Sequence, residues 1–442
     1  MKFNERTPLF RYNVPMAQFV CTNCGEGAAA WMGRCPSCHE WNTFKELKEA
    51  STGRSKKVES FVTTAFKEIK GLNKNRKPTG LFELDRVLGG GIVKGEVILL
   101  TGEPGVGKST LLLQSLKNLT TLYISGEESA EQVKERADRL AMDVSSFVFS
   151  DTLQVESIVK GVEELSEKPD VVVIDSVQTI YTKNVESPPG SVSQLREASA
   201  ALIRLAKQSG IPIIIVGHVT KEGDVAGPKT LEHMVDAVLN FEGEKISNFR
   251  VLRAQKNRFG STDEIGIFEM RGDGLSEVNN PLAFVDEDKK LQVPGKALVG
   301  IMEGKRPLFF EIQTLASTSF LPMPRRVVKG VDYNKVLLLL AVIEKHLKLN
   351  LSKYDIYINV IGGVDVKSPA ADLGIVASII SSMKNVPLSG SSIFTGEVGL
   401  LGEVRKIYGQ ERIINEAKRL KFTKPVSSLT VRTVKDLYQT IL

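Results

Sequence analysis

The sequence lacks the features that mark membrane and exported proteins. It contains no apolar run as long as a membrane-spanning helix requires. Its first residues do not show the charged, apolar and small-residue pattern of a secretory signal. We therefore expect a soluble, cytoplasmic protein with no membrane partner.

Strong net charge is also missing. A net charge of +6 over 442 residues permits a nucleic-acid partner but does not demonstrate one. With 42% hydrophobic and 25% charged residues, the chain has an ordinary globular composition and enough material for two or three domains. The function must therefore be inferred from local motifs.

Cysteine is scarce, and all four cysteines lie within eighteen positions. They form two C-x2-C pairs, Cys21 with Cys24 and Cys35 with Cys38. This spacing is typical of four thiolates around one tetrahedral Zn²⁺ ion, and a redox-active dithiol pair is the alternative. Four sulfurs close the metal shell, so we expect a structural zinc module over residues 16–44.

Three ring side chains accompany the second cysteine pair. His39 follows the last cysteine directly, and we expect it to be a neighbour of the metal rather than a ligand. Trp31 and Trp41 are the only tryptophans of the chain. We expect both to pack against the module, and stacking on a nucleic-acid base is the alternative.

A glycine-rich segment follows the apolar run 97–101 directly. Residues 102–109 read G-E-P-G-V-G-K-S, and a helical pattern follows them. A strand, such a turn and a helix N-terminus present backbone N–H groups to a triphosphate, with Lys108 reaching the outer phosphates and Ser109 binding Mg²⁺. A chance glycine turn is the alternative. The residues predicted to bind ATP are Gly102, Glu103, Pro104, Gly105, Val106, Gly107, Lys108, Ser109 and Thr110.

Between residues 79 and 280, short β-branched runs alternate with helical stretches. The runs are Val97–Leu100, Leu122–Ile124, Val171–Ile174 and Ile213–Val216. This alternation predicts an α/β fold with a doubly wound, mostly parallel sheet that has helices on both faces. Ligands of such sheets bind beyond the carboxyl ends of the strands.

Carboxylates follow two of these predicted strands. Asp175 ends one run, where it could hold Mg²⁺ or its water. Glu127 and Glu128 follow another. Either glutamate could polarise an attacking water, or both could belong to a solvated turn or helix cap.

Basic residues follow two further predicted strands. A polar loop after His218 carries Lys221 and Lys229, which could contact DNA or lie in an ordinary mobile connection. Residues 256–260 lie with Arg253 at the end of the strand predicted over 249–254. They could form a solvated strand end or, in a ring, a cationic finger that reaches a neighbour's γ-phosphate.

The order of these motifs resembles the bacterial RadA (Sms) family of DNA repair proteins. The resemblance rests on the four-cysteine knuckle, the phosphate loop and the pentapeptide Lys256-Asn257-Arg258-Phe259-Gly260, and it extends from Met16 to the C-terminus. It implies a RecA-like ATPase that forms a homo-hexameric ring and acts on single-stranded and branched DNA beside the RecA recombinase.

The resemblance also implies roles for individual residues. Lys108 would bind phosphate, Ser109 and Asp175 would serve magnesium, Glu127 would activate water and His218 would sense the γ-phosphate. Lys256, Asn257, Arg258, Phe259 and Gly260 would couple ATP turnover to DNA. Whether Lys256 and Arg258 contact DNA or a neighbour's nucleotide stays open at this point.

The last third of the chain, residues 281–442, has a mixed strand and helix pattern and looks like the α+β domain of Lon proteases over 396–404. Ala370 stands where those proteases carry the nucleophilic serine, and Glu411 aligns with their lysine. We therefore expect no catalytic dyad, and Ser368 is a poor substitute. Candidate phosphate-binding residues of this region are Arg325, Arg326, Lys329, Lys335, Lys353 and Lys367.

The motifs together with the resemblance to the RadA family imply a DNA-dependent ATPase that translocates on single-stranded DNA and promotes branch migration in recombinational repair. A nucleotide-gated clamp or RecA-loading adaptor without motor activity is the alternative, and an ATP-dependent protease is a weaker one. We expect a disordered extension over 1–15 and a linker over 45–78, rich in Lys, Glu, Ser and Thr.

Overall fold

The computed structural model describes residues 19–46, 76–218, 228–243, 248–285 and 292–442. The predicted extension over 1–15, most of the linker predicted over 45–78 and Lys221 lie outside these residues. The side chain of Lys229 lies outside them as well.

The cysteine-bearing region is a small antiparallel sheet of three strands. These are β1 (Phe19–Cys21), β2 (Gly27–Ala28) and β3 (Phe44–Glu46), in the order β2-β1-β3. Its small core consists of Cys21, Cys35 and Phe44, all of which are buried. The cysteines themselves therefore supply much of the apolar interior of this module.

A nine-stranded sheet forms the centre of the chain. Its strands are β4 (Val97–Gly102), β5 (Thr121–Ser125), β6 (Phe147–Ser150), β7 (Val171–Asp175), β8 (Ile213–His218), β9 (Ala237–Glu242), β10 (Phe249–Asn257), β11 (Ile265–Arg271) and β12 (Gly274–Glu277). The order is β12-β11-β10-β9-β4-β8-β7-β5-β6, in which the pairs from β9 to β6 are parallel and those from β12 to β9 are antiparallel.

Helices cover both faces of this sheet. They are α1 (Phe82–Leu88), α2 (Lys108–Leu116), α3 (Ala130–Arg139), α4 (Val155–Glu164), α5 (Val192–Ser209) and α6 (Pro228–Glu232). One apolar cluster joins the sheet to α1, α2 and α3, and a second joins it to α4, α5 and α6. The predicted doubly wound, mostly parallel α/β fold is confirmed, and the antiparallel strands extend it on one side.

The C-terminal region is built around a second, mixed sheet. Its strands are β13 (Lys296–Glu303), β14 (Arg306–Thr318), β15 (Arg326–Lys329), β16 (Tyr354–Val360), β17 (Ser392–Thr395) and β20 (Lys424–Ser427), in the order β15-β16-β14-β13-β17-β20. A separate hairpin pairs β18 (Glu397–Val398) with β19 (Val404–Arg405). The helices are α7 (Tyr333–Leu347), α8 (Asp372–Lys384), α9 (Gln410–Arg419) and α10 (Val434–Ile441). The likeness to Lon proteases stays a prediction.

Helix α7 carries an unbroken run of apolar residues from Val336 to Ile343, but it is buried only in part. Helix α7 buries Val336, Leu339 and Ile343, but Leu337 and Leu338 are 38% and 48% exposed. An unbroken run of apolar residues therefore covers both the buried and the solvent-facing sides of α7.

The C-terminal region packs directly against the central sheet. Phe249 of β10, Phe284 and Phe310 of β14 form a continuous stack, with ring centroids 4.5 and 4.8 Å apart. Arg306 of β14 donates to Glu83 of α1 at 3.1 Å, and the Glu83 side chain is fully buried. Apolar and ionic contacts thus join the two regions.

Among the described residues, no helix is long and apolar enough to cross a membrane.

Replacing Arg306 by Ala should destabilise the protein. Burial raises the pKa of Glu83, and Arg306 opposes this shift, so the variant leaves a buried carboxylate without its main charge partner. Loss of one partner of a buried pair costs about 3–5 kcal/mol. Urea unfolding measures the change.

Lys305→Ala is the matched control, because Lys305 pairs with Glu264 at 3.2 Å but is half exposed. An exposed pair contributes at most about 1 kcal/mol. Equal losses in the two variants would contradict a specific stabilising role of the Arg306–Glu83 pair.

Candidate functional site

The turn between β4 and α2 has the backbone geometry of a phosphate-binding loop. Gly102, Gly105 and Gly107 have φ angles of +155°, +80° and +110°. A Cβ on Gly102 would lie 2.4 Å from the carbonyl oxygen of Phe241, so a larger residue does not fit there. A Cβ on Gly105 would meet nothing within 4 Å, which shows open space on that side of the turn. The turn therefore leaves room for an anion beside the N-terminus of α2.

Lys108, the first residue of α2, is folded back over this turn. Its Nζ donates to the carbonyl oxygens of Gly102 at 2.9 Å and Glu103 at 3.0 Å, and it lies 3.1 Å from Nδ1 of His218. Burial lowers the pKa of Lys108, and the carboxylates of Asp175 and Glu127 oppose that shift. The ammonium group is thus held at the mouth of the turn, where phosphates would compete with the two carbonyls for it.

The two predicted magnesium residues lie together. Asp175 ends β7 and is 6% exposed, and its Oδ2 accepts a hydrogen bond from the Ser109 hydroxyl at 2.8 Å. A hydroxyl beside a carboxylate at the start of a phosphate-loop helix is the donor set that Mg²⁺ takes in such ATPases. These residues therefore fit Mg²⁺ bound with a nucleoside triphosphate.

Glu127 and Glu128 have different surroundings. Both carboxylate oxygens of Glu127 lie 3.1 Å from Nε2 of His218, and Ser176 donates to Glu127 Oε1. Glu128 instead pairs with Arg136 of α3. Only Glu127 faces the nucleotide site, while Glu128 belongs to the turn before α3.

His218 connects the lysine to the glutamate. Because the Lys108 ammonium can only donate, Nδ1 of His218 must accept, and the ring proton lies on Nε2. Nε2 then donates to Glu127. Ligand atoms of Glu127, Asp175 and His218 lie within 4.8 Å of one another, so the predicted catalytic residues of this edge form one cluster.

Sequence reasoning missed two polar neighbours of this cluster. Tyr123 of β5 donates from its hydroxyl to Asp175 Oδ2 at 2.6 Å, and Ser176 contacts Glu127. The only available signal was a tyrosine in an otherwise apolar strand and a serine directly after Asp175.

Residues 256–260 lie at the opposite edge of the sheet from the phosphate loop, level with the amino ends of the parallel strands. Asn257 pairs with Ala237 of β9, which pairs with Ile98 near the start of β4, whereas the phosphate loop follows the end of β4. At about 3.3 Å per strand residue, the two edges are about 15 Å apart. Strand β10 also extends to Asn257, beyond the end predicted at Ala254.

Internal contacts hold several residues of this pentapeptide. Lys256 Nζ donates to the carbonyl oxygens of Glu232, His233 and Val235, at 2.8, 3.2 and 2.8 Å. Arg258 lies 3.5 Å from Asp236 with its side chain 56% exposed. Lys256 thus anchors the end of α6, and the Arg258 guanidinium reaches solvent.

The four predicted zinc ligands converge. Sγ of Cys21 lies 3.6 Å from Sγ of Cys38, and Sγ of Cys24 lies 3.5 Å from Sγ of Cys35. All four sulfurs are within 4.8 Å of one another. Tetrahedral Zn–S bonds of about 2.3 Å require sulfurs about 3.8 Å apart, while a disulfide needs about 2 Å. The arrangement fits a zinc site with four cysteine ligands.

The surroundings of Cys21 and Cys24 shift their thiol pKa values in opposite directions. Burial and the neighbouring cysteines raise the pKa of Cys24 to about 12. Burial also acts on Cys21, but hydrogen bonding with Thr43 and with the backbone N–H groups of Cys24 and Asn23 lowers the pKa of Cys21 to about 6. Four thiolates at this separation need a divalent ion to neutralise their charge.

The tryptophans do not pack as predicted. Trp31 and Trp41 are 55% and 67% exposed, and both rings lie near Gly33. Arg34 lies over the ring of Trp41 at 5.8 Å from its centroid. The module is too small to bury both indoles, because its core is filled by Phe44 and the cysteines.

The predicted protease positions do not form a dyad. Ala370 is buried, and Glu411 is exposed and pairs with Lys406 at 3.0 Å. Ser368 accepts a hydrogen bond from the backbone N–H of Ala370 and so caps a short 3₁₀ turn. Ser368 also borders a cavity of about 930 Å³ that extends to Gly102 at the phosphate loop.

Two of the candidate phosphate-binding residues of the C-terminal region have internal partners. Arg326 donates to the carbonyl oxygens of Tyr354 and Leu351, and Lys335 pairs with the buried carboxylate of Asp372 at 2.8 Å. Burial raises the pKa of Asp372 to about 6 even though Lys335 opposes the shift. Arg326 and Lys335 therefore contribute to the fold, which the sequence alone did not indicate.

Two segments of the chain match known family models. Residues 77–286 match the family model described as "ATPase: KaiC", and residues 19–46 match the "Rubredoxin metal binding domain". The DNA repair protein RadA of Bacillus subtilis is 47% identical to this chain, over 93% of this chain and 92% of that protein. RadA of Listeria monocytogenes is 46% identical, over 92% of this chain and 91% of that protein.

Two solved structures resemble part of the chain. The RadB recombinase is 23% identical, with a TM-score of 0.38, and covers 46% of this chain and 99% of its own. A KaiC-like protein of Pyrococcus horikoshii is 19% identical, with a TM-score of 0.39 and the same coverage.

Replacing Cys35 by Ser should abolish zinc binding. Cys35 is fully buried and completes the set of four cysteines, so three remaining thiolates leave the shell open. We expect metal content to fall from about one zinc per chain to well below half, measured by plasma mass spectrometry after exhaustive dialysis.

His39→Asn is the matched control, because His39 neighbours the ligand set and asparagine tolerates its φ of +61°. This variant should retain its zinc. Loss of zinc from His39→Asn, or its retention by Cys35→Ser, would contradict the assignment of the four sulfurs as the ligands.

Proposed function

The chain belongs to the RadA family of DNA repair proteins, and on this premise we propose that it is a DNA-dependent ATPase that acts in recombinational DNA repair. In this proposal ATP hydrolysis drives translocation on single-stranded DNA and promotes branch migration alongside RecA. The cluster of Lys108, Asp175, Glu127 and His218 at one edge of the sheet is the observation that carries the proposal.

The chemistry is attack of water on the γ-phosphate. Glu127 lies 3.1 Å from His218 in the same cluster and orients the attacking water, while Lys108 and the loop N–H groups hold the phosphates. Ser109 and Asp175 would hold magnesium, which neutralises charge on the outer phosphates when it is bound.

The contacts of His218 support a role as γ-phosphate sensor. Phosphates that draw Lys108 away from the carbonyls of the loop also remove the donor to Nδ1 of His218. His218 is also the hydrogen-bond partner of Glu127. A shift of Lys108 therefore changes the hydrogen bonding of the carboxylate that activates water. Nucleotide binding and the orientation of the water-activating group are thereby linked.

The position of residues 256–260 supports action between subunits. Their edge of the sheet is opposite the phosphate loop, so Arg258 does not reach the nucleotide of its own chain. In a homo-hexameric ring, the exposed guanidinium of Arg258 faces outward to a neighbour's phosphates or to DNA. Lys256 positions this segment through its three carbonyl contacts.

Replacing Lys108 by Ala should abolish ATP turnover. The variant removes the ammonium group that the loop carbonyls hold at the phosphates, and we expect at least an approximately 100-fold loss of phosphate release. Lys117→Ala, at the exposed C-terminal end of the same helix, is the matched control and should turn over ATP normally. Substantial hydrolysis by Lys108→Ala would refute the assigned site.

Lys256→Ala and Arg258→Ala should bind ATP but lose DNA-coupled work. Both residues lie far from the phosphate loop of their own chain, so nucleotide affinity should change less than about twofold. Branch migration on a forked DNA substrate should fall at least about tenfold in both variants. Arg258→Ala removes the contact across the subunit interface, and Lys256→Ala removes the carbonyl contacts that position this segment. Arg271→Ala, an exposed arginine of β11, is the control.

The nucleotide dependence of this assay tests the motor. Wild-type protein should migrate the fork with ATP and not with a non-hydrolysable analogue. Equal migration with the analogue would favour the clamp or loading adaptor, and migration by Lys256→Ala at the wild-type rate would refute the coupling role.

A further inference from the structure

A buried phenol lies behind the proposed magnesium carboxylate. Tyr123 of β5 is 2% exposed, and its hydroxyl is 2.6 Å from Asp175 Oδ2. A buried tyrosine hydroxyl needs a hydrogen-bond partner, and here that partner is the carboxylate. The neighbouring strands β5 and β7 fix the pair, with Ser125 in register with Asp175.

Both hydroxyl donors of this site converge on the same oxygen. Ser109 donates to Asp175 Oδ2 at 2.8 Å, as does Tyr123 at 2.6 Å. Among the described residues, no side chain donates to Oδ1. The two donors fix the rotation of the carboxylate and leave Oδ1 as the oxygen available to a metal ion or its water.

The two hydroxyl donors differ in what else they have to do. The Tyr123 hydroxyl is buried in the sheet and donates to Asp175. The Ser109 hydroxyl, at the start of α2, also has to serve the metal. Tyr123 is then the donor that holds Asp175 in place while Ser109 turns its lone pair to the metal.

We propose that Tyr123 is a positioning residue that sets the magnesium affinity of the nucleotide site through its hydrogen bond to Asp175. The inference rests on the proposed ATPase function and concerns the same site. Partners that orient a metal-binding side chain typically contribute about 10- to 100-fold to metal affinity. Tyr123 touches neither nucleotide nor metal in this scheme and acts only through Asp175.

The test is Tyr123→Phe, which keeps the ring in the core and removes only the hydroxyl. The magnesium dependence of ATP hydrolysis should shift so that the half-saturating Mg²⁺ concentration rises about 10-fold or more. The turnover rate at saturating Mg²⁺ should stay within about twofold of wild type, because the carboxylate is still present. ADP binding in excess EDTA should not change.

These readouts separate positioning from a packing role. Loss of packing would lower the unfolding temperature and the turnover rate without moving the magnesium midpoint. Tyr181→Phe, in the loop that follows β7, is the matched control and should leave the midpoint unchanged. All assays are made well below the unfolding temperature of each variant. Mn²⁺ binding to the ADP complex, measured by electron paramagnetic resonance, gives a second metal-binding midpoint that is independent of turnover.

An unchanged magnesium midpoint in folded Tyr123→Phe would overturn the inference. A fall in turnover at every Mg²⁺ concentration, with the midpoint unchanged, would overturn it as well. A wild-type protein that does not hydrolyse ATP with Mg²⁺ would instead refute the proposed function, so the two failures are distinguishable.

Discussion

The parallel register of neighbouring strands is the constraint on which the nucleotide site depends. Gly102 at the end of β4 lies beside His218 at the end of β8, and Asp175 at the end of β7 lies beside Ser125 in β5. Since parallel strands end at one edge, four separate stretches of sequence deliver their polar groups to one place. A slip of one residue would turn a side chain to the other face of the sheet, and the apolar cores on both faces oppose such a slip.

Features that depend on short spacings could be predicted from the sequence, and features that depend on register could not. The zinc ligands and the phosphate loop are each contained in a few neighbouring residues, so their geometry follows from local backbone requirements. The choice between Glu127 and Glu128 depends on which carboxylate faces His218 and which faces Arg136, and neither contact can be read from the spacing of the two glutamates. The role of Tyr123 is hidden for the same reason, because its partner lies in a different strand.

Charge and aromatic character by themselves were poor guides to exposure. Lys256, Arg326 and Lys335 have charges that suggested binding to phosphate, yet their head groups contact carbonyl oxygens or a buried carboxylate. The tryptophans show the opposite error, since a module with so small a core leaves them in solvent. The interior volume of a module decides whether a tryptophan can be buried, and carbonyl groups left free at helix ends attract the head groups of lysine and arginine. Neither feature can be read from composition.

The separation of the two edges limits how hydrolysis can affect the distant pentapeptide. A packed sheet does not deform continuously, so β4 and β9 are poor carriers of a signal along their length. Lys256 holds the end of α6 through the carbonyl oxygens of Glu232, His233 and Val235, and Arg258 lies 3.5 Å from Asp236 beside it. These contacts tie the pentapeptide to α6 and the turn after it, whereas Lys108, Glu127 and His218 contact one another at the nucleotide edge. Under the proposed function, a signal between the two edges therefore has to pass through contacts other than the β-strands, and the exposed guanidinium of Arg258 is the group of the pentapeptide that is open to a neighbouring molecule.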